Sequence, residues 1–209
     1  MSQPSSPPPS QAAAPAATLE ALAAACSSCE RCGLAAGRRH VVVSRGNPAA
    51  RLMLIGEGPG QQEDDTGRPF VGRAGQLLDR ILASVDLDSE RDVYICNIVK
   101  CRPPDNRRPT PAEMAACRPW LERQIALVDP PLIVLAGATA VEGVLGVKGG
   151  ISRLRGVWQP LDGRWCLPVF HPSYLLRNPS RQEGSPKWLT WQDMQDVKRR
   201  LQQLEEPSP

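Results

Sequence analysis

The chain has no run of about 18 apolar residues, so no segment is expected to cross a bilayer as a helix. Its first residues, MSQPSSPPPSQAAAPAA, have neither a basic start nor a continuous apolar stretch, which argues against a secretory signal. No charge of one sign dominates. The 25 basic and 22 acidic residues leave +3, which neither requires nor excludes nucleic acid. No internal repeat is visible. The Gly-Lys-Ser/Thr ending of a phosphate loop is missing after Gly56-Glu57-Gly58-Pro59-Gly60. A dinucleotide fingerprint fails there too, because Gln61 stands where a third glycine is needed and Pro59 interrupts the turn. The expected location is a reducing cytoplasm, in which clustered cysteines are metal ligands or catalytic groups more often than disulfides.

The 209 residues suffice for one domain that buries most of its apolar surface without disulfide staples. Residues 1–17 hold hardly any bulky apolar side chain and are expected to be a disordered tail. Residues 205–209 are expected to fray, which leaves a domain over 18–204. Within it, 18–25 reads as a short helix, and Arg51–Ile55 as a buried strand ending in a glycine-rich turn. Ala74, Leu77, Leu78, Ile81, Leu82 and Val85 recur at helical spacing. Val93–Val99 is a second buried strand. Thr110-Pro111-Ala112-Glu113 is a capping box with proline at the first helical position. The helix it opens puts Met114, Cys117, Leu121, Ile125 and Val128 on one face. Leu132–Ala136 is a strand and Ala138–Leu145 a helix. Arg164–Phe170 is a strand ending at His171, and a last helix covers roughly 186–204. This alternation predicts an α/β fold: a three-layer α/β/α sandwich around a mainly parallel four-stranded sheet. Sites in such sheets form at the carboxyl ends of the strands, where three polar motifs fall.

Seven cysteines are present. Cys26, Cys29 and Cys32 follow one another at three-residue spacing, so any two neighbours could form a ligand pair. Cys96 and Cys166 sit inside apolar strands and read as small core residues. A pair from the N-terminal segment with Cys101 and Cys117 makes four thiolates. These suit tetrahedral zinc or an iron–sulfur cubane, and spacing does not choose between them. Either centre would be structural first, clamping the N-terminal segment onto the loop after the second strand.

The motif loops carry the rest. The turn at 56–60 holds the Glu57 carboxylate against closely approaching backbone, suited to orienting a water or stabilising a cation. Phe70 is one of two phenylalanines and sits in a Gly/Pro-rich loop, where an aromatic ring can stack on a base. Asn97 offers an amide to a pyrimidine edge and is costly inside a strand unless satisfied. His171 stands at a strand end. Lys100, Arg102, Arg107 and Arg108, and then Arg177 and Arg181, form two basic loops suited to phosphates.

These residues together resemble the family 4, iron–sulfur uracil-DNA glycosylases. The matching motifs are GEGPG at 56–60, RPFVGRAG at 68–75, NIVKCRPP at 97–104 and HPSYLLR at 171–177, and the likeness covers about residues 26–200. The family pattern Cys-x2-Cys-x-Leu fits Cys29, Cys32 and Leu34. The resemblance therefore implies a [4Fe–4S] cluster on Cys29, Cys32, Cys101 and Cys117. It also implies a DNA-repair enzyme that flips uracil from DNA and hydrolyses its N-glycosidic bond, leaving an abasic site and starting base excision repair. By the same resemblance Glu57 and His171 are catalytic, while Gly56, Gly58, Glu63, Phe70 and Asn97 bind the base. Glu63 is the candidate wall against the thymine methyl. Leu175, Leu176 and Arg177 would wedge into the gap in the stack, and Ser173 would hold a phosphate. A sister group carries a basic insertion ending in a histidine that traps uracil-DNA covalently. Cys101–Cys117 contains no histidine, so turnover is expected. The expected partner is uracil-containing DNA, with no membrane and a monomer as the default.

Overall fold

The computed structural model describes residues 17–205, so the sequence reading of 1–16 and 206–209 as tails lies outside the described residues. The central strands are β2 (Leu52–Gly56), β3 (Val93–Asn97), β4 (Leu132–Ala136) and β6 (Arg164–Val169). They run parallel, with β2 between β3 and β4, and β6 beyond β4. Their side chains alternate between two cores, which is why each strand reads as an unbroken apolar run. Met53, Ile55, Tyr94, Cys96, Ile133, Leu135 and Cys166 face one core. Leu52, Leu54, Val93, Ile95, Leu132, Val134 and Leu167 face the other.

Helices cover both faces. α4 (Pro111–Val128), opened by the Thr110–Glu113 capping box, packs Met114, Cys117 and Leu121 on the first core. α1 (Leu19–Ser27) and α5 (Ala138–Leu145) lie on that side as well. The second face is covered by α3 (Arg73–Ala83), through Leu78 and Leu82, and by α8 (Pro186–Glu205), through Met194, Val197 and Leu201. Shorter helices are α2 (Gln61–Thr66), α6 (Ile151–Leu154) and α7 (Pro172–Arg177). No helix among the described residues is long and apolar enough to cross a membrane.

The sheet has six strands, in the order β1-β3-β2-β4-β6-β5, and not the four expected. The parallel core of four is as read. The additions are antiparallel edges, β1 (Arg45–Gly46) on β3 and β5 (Gln159–Leu161) on β6. Both are too short and too polar to stand out as apolar runs. The β5–β6 hairpin turns through Asp162 and Gly163, both at positive φ (45° and 79°), and Asp-Gly is a strong two-residue hairpin signal.

Arg45 shows what the edge strand contributes. It is 8% exposed and donates through Nε to the Pro69 carbonyl (3.0 Å) and through its terminal nitrogens to the Phe70 carbonyl (3.4 Å), Asp79 (2.5 Å) and Glu90 (2.7 Å). One buried guanidinium thus fixes the loop before α3 to the sheet edge. Gly75 packs the same loop from the other side, since a Cβ there would lie 1.7 Å from the Phe70 carbonyl oxygen. Glycine to alanine inside a helix ordinarily stabilises by about 1 kcal/mol. Here the sign reverses. Gly75→Ala is expected to destabilise by at least about 2 kcal/mol through backbone displacement, read as a lower midpoint in urea unfolding.

Candidate active site

Parallel pairing sets Gly56 of β2 opposite Asn97 of β3, and β6 ends beside them at His171. The three chain segments that leave these strand ends enclose one cavity of about 200 Å³. Glu57, Gly58, Glu63, Phe70, Asn97, His171 and Ser173 all line it. Gly56 lies directly beneath, its Cα facing the Phe70 ring and the Asn97 amide. The expected base-binding and catalytic residues are therefore together in space, although they span 115 positions of sequence (171 less 56).

Asn97 is 2% exposed, and its Oδ1 has no hydrogen-bond partner among the described residues. A buried amide oxygen left bare costs about 1–3 kcal/mol, and such a cost is characteristic of a ligand-binding position. Phe70 sits at φ 55°, a left-handed conformation that is strained for a non-glycine residue. Its ring centroid is 5.9 Å from that of His171, tilted by 33°. The Glu57 carboxylate accepts from the Thr139 hydroxyl at 2.5 Å, and Thr139 is buried in the first turn of α5. Sequence reasoning missed Thr139, which carries no motif signal of its own.

Glu63 lines the cavity and also braces the loops around it. One carboxylate oxygen accepts from the Val71 and Gly72 amides (2.9 and 2.8 Å), and the other accepts from the Gly60 amide (3.1 Å). It ties the turn after β2 to the Phe70 loop, so the cavity wall it forms is rigid.

His171 caps α7, and its Nδ1 accepts from the Ser173 amide at 3.1 Å, with the Ser173 hydroxyl 2.8 Å away. An Nδ1 that accepts puts the proton of a neutral ring on Nε2. Burial holds the His171 pKa down, from an ordinary 6.5 to about 4, with a smaller push from the positive Arg177. The residue is partly exposed and lines the cavity.

Two expectations about DNA contact are corrected. Leu175 is fully buried, because α7 turns it inward, so it cannot serve as a wedge. Leu176 is partly exposed and Arg177 exposed on the same helix. Lys100 is 1% exposed and donates to the Asn97 carbonyl at 2.6 Å, so it is no surface cation. Of its neighbours in that loop, Arg107 pairs with Glu113 and Arg108 with Glu142, while Arg102 donates to the Asn106 and Gln61 amides.

Cys26, Cys29, Cys32, Cys101 and Cys117 line one small cavity beneath Arg38, Lys100 and Trp120. Three sulfurs accept N–H bonds: Cys29 from Trp120 Nε1 (3.3 Å), Cys101 from Arg38 (3.5 Å) and Cys117 from the Lys100 amide (3.3 Å). Burial pushes the Cys101 thiol up to about 11 and the Cys26 thiol up to about 12. Among the described residues, no three His, Cys, Asp or Glu side chains stand close enough to form a single-ion site as they are.

Residues 43–195 match the family model described as the uracil DNA glycosylase superfamily. The chain is 49% identical over 168 residues to a type-4 uracil-DNA glycosylase of Thermotoga maritima, a match that covers 78% of this chain and 86% of the relative. It is 40% identical over 172 residues to a type-4 uracil-DNA glycosylase of Sulfurisphaera tokodaii, covering 78% of each. A type-5 uracil-DNA glycosylase of Thermus thermophilus is 35% identical over 147 residues, covering 61% of this chain and 67% of the relative.

The depressed His171 pKa has a stability consequence. Between pH 4 and 6.5 the unfolded chain binds a proton at this ring that the folded chain refuses, so stability rises with pH through that window and is full above it. The loss on acidification from 6.5 to 4 is up to about 3 kcal/mol, the open side of the ring reducing it. Urea unfolding of wild type and His171→Gln across this range is expected to show this component in wild type only.

Proposed function

The chain belongs to the uracil DNA glycosylase superfamily, with type-4 enzymes as relatives over most of its length, and on that premise we propose how its cavity carries out the reaction. The protein is a uracil-DNA glycosylase. It hydrolyses the bond between uracil and deoxyribose in DNA, the opening step of base excision repair. The observation that carries the site assignment is the unpartnered Asn97 amide oxygen, buried in the same cavity as Phe70, His171 and Glu57.

Flipped uracil presents a ring N–H between two carbonyls. In our reading Asn97 Oδ1 accepts the N3–H bond and the amide nitrogen donates to O4. Cytosine carries an amine in place of O4 and mismatches this amide. The Phe70 ring stacks on the base, and the braced Glu63 turn limits the room for a thymine methyl.

As the C1′–N1 bond breaks, its electron pair leaves with uracil and negative charge grows on O2. The neutral His171 donates from Nε2 to that oxygen, a dipole set in place before the reaction. Positive charge grows at C1′ of the sugar. The Glu57 carboxylate, fixed by Thr139, stabilises it and orients the water whose oxygen adds to C1′. The water's proton passes through solvent to the uracil anion. Leu176 and Arg177 fill the gap in the stack.

For the cysteines we propose a [4Fe–4S] cluster on Cys29, Cys32, Cys101 and Cys117. Burial pushes the Cys101 and Cys117 thiols up, so a cationic centre is what would make them thiolates, and N–H donors at three of the sulfurs suit such a centre. The four cysteines line one small space, and the choice of a cluster over a single ion rests on the likeness to the type-4 enzymes. When bound, the cluster supplies a cross-link between the segment at 29–32 and the loop after β3. We place the enzyme in the cytoplasm, as a monomer.

Two sets of variants test these assignments. On uracil-containing DNA without added divalent metal, His171→Ala is expected to lower kcat by about 10²–10³-fold, and Glu57→Ala by about 10²–10⁴-fold. Normal release by a Glu57→Ala/Asn97→Ala/His171→Ala variant refutes the site. For the cluster, the purified protein is expected to be brown and to hold iron and sulfide. Cys101→Ala and Cys117→Ala are expected to lose both, and Cys26→Ala to keep them; loss in Cys26→Ala would give that residue the place assigned to Cys29.

A further inference from the structure

A second groove, of about 360 Å³, lies between α3, α7 and α8. Its floor is apolar, made by Leu77, Ile81 and Leu175. Trp188 and Trp191 form one wall, and Trp191 is 44% exposed, unusual for so large an apolar ring. The rim carries Arg80, Arg181 and Lys187 and no acidic residue.

The state of those cations separates this face from the rest of the surface. Among the described residues, the basic side chains with no hydrogen bond, ion pair or ring contact are Arg73, Arg80, Arg153, Arg177, Arg181 and Lys187. All but Arg153 belong to α3, to α7 or to the stretch from Arg181 to Lys187. In the loop after β3, by contrast, Arg107 and Arg108 pair with Glu113 and Glu142, and Arg102 is held by the Asn106 and Gln61 amides. Unpaired positive charge beside an exposed indole is the combination that holds single-stranded nucleic acid, phosphates on the cations and a base on the ring.

The groove and the base cavity share two supporting helices, α3 through Ala74 and Leu77, and α7. His171 and Ser173 of the α7 cap and first turn line the cavity, and Leu175 lines the groove. Four residues of helix span about 6 Å, roughly two base steps of a DNA strand. A strand whose uracil occupies the cavity therefore reaches the groove within a couple of nucleotides. A duplex does not fit the same description, because a paired base has no free face for the indole.

We propose that this groove binds the strand flanking the uracil, with an unpaired base stacked on Trp191 and its phosphates held by Arg80, Arg181 and Lys187. The proposal rests on the glycosylase reading, and its test separates the two. Uracil release by the full-length holoenzyme is compared on two single strands, one with long flanks and one with a single nucleotide on each side of the uracil. Trp191→Ala and Arg181→Ala/Lys187→Ala are expected to raise KM for the long strand about tenfold with kcat unchanged, and to leave the short substrate unaffected. Trp191→Phe is expected to restore most of the loss, and the cation variant to flatten the salt dependence of KM. Unchanged KM on the long strand overturns the proposal, as it would if the groove served a protein partner. Equal losses on both substrates overturn it too, since they report damage to the cavity. Anisotropy of a labelled uracil-free single strand reads the groove without the reaction, and a tenfold weakening in Trp191→Ala is expected there. Absence of uracil release from every substrate with that weakening intact sinks the glycosylase reading and leaves the groove standing.

Discussion

The base cavity depends on the missing side chain of Gly56. A Cβ at that position would lie 2.4 Å from Cζ of Phe70 and 2.5 Å from Oδ1 of Asn97. Strand pairing puts Gly56 level with Asn97, so the bare Cα leaves a space at the sheet's rim for a ring and an amide at once. The ring enters that space because Phe70 adopts φ 55°, which costs about 1–2 kcal/mol and must be held from outside. Arg45 grips the Pro69 and Phe70 carbonyls, Gly75 leaves room for the Phe70 carbonyl, and Glu63 takes the Val71 and Gly72 amides. Backbone strain at one residue is thus offset by a charged side chain at each end of the loop. The result is a stacking surface in place before any base arrives, the condition under which binding energy goes into orientation rather than ordering.

Much of this was legible in the sequence because the controlling signals are local. Buried strands read as apolar runs, α4 announced itself by Thr110, Pro111 and Glu113, and the polar residues following the strands had to fall at one rim of a parallel sheet. What stayed hidden depends on side-chain direction or on contacts distant in sequence. HPSYLLR reads as a polar loop with two adjacent leucines, but as a helix it sends Leu175 into the core and leaves Leu176 outside. Lys100 looks like one more cation in a basic loop, yet its amine turns back on the Asn97 carbonyl. The edge strands lack enough residues to form a pattern. Asp162-Gly163 marks the β5–β6 turn, a signal that the reading by apolar runs did not use.

Lys100 is also the physical link between the cavity and the cysteines. Its Nζ binds the carbonyl of Asn97, its amide donates to Cys117 Sγ, and its carbonyl accepts from Val42 at 2.8 Å. A lysine 1% exposed with no carboxylate partner is costly unless negative charge lies close by. The cysteine cavity it lines is where that charge would arise, since four thiolates around a cluster carry more negative charge than the iron and sulfide core offsets. On this view the cysteine centre, though remote from the base, fixes the lysine that fixes the strand end bearing Asn97.

The charges around the cavity then give it a direction. Inside, His171 is neutral, so its Nε2–H presents a dipole to the departing base without forming an ion pair that would neutralise Glu57. The two ends of the scissile bond develop opposite charge, and a carboxylate with a neutral donor matches both, whereas an imidazolium–carboxylate pair would be satisfied before substrate entered. Outside, Arg107 and Arg108 on the β3 side are bound to carboxylates and Arg102 to two amides, whereas those around α7 have no such partner. Phosphates are therefore attracted to one flank of the opening. In the proposed binding mode that asymmetry brings the DNA strand in over α7, the helix whose cap holds His171 and whose last turn carries Leu176 and Arg177. On that proposal the element that polarises the leaving base is also the one that meets the backbone it leaves, so docking and chemistry would share a single support.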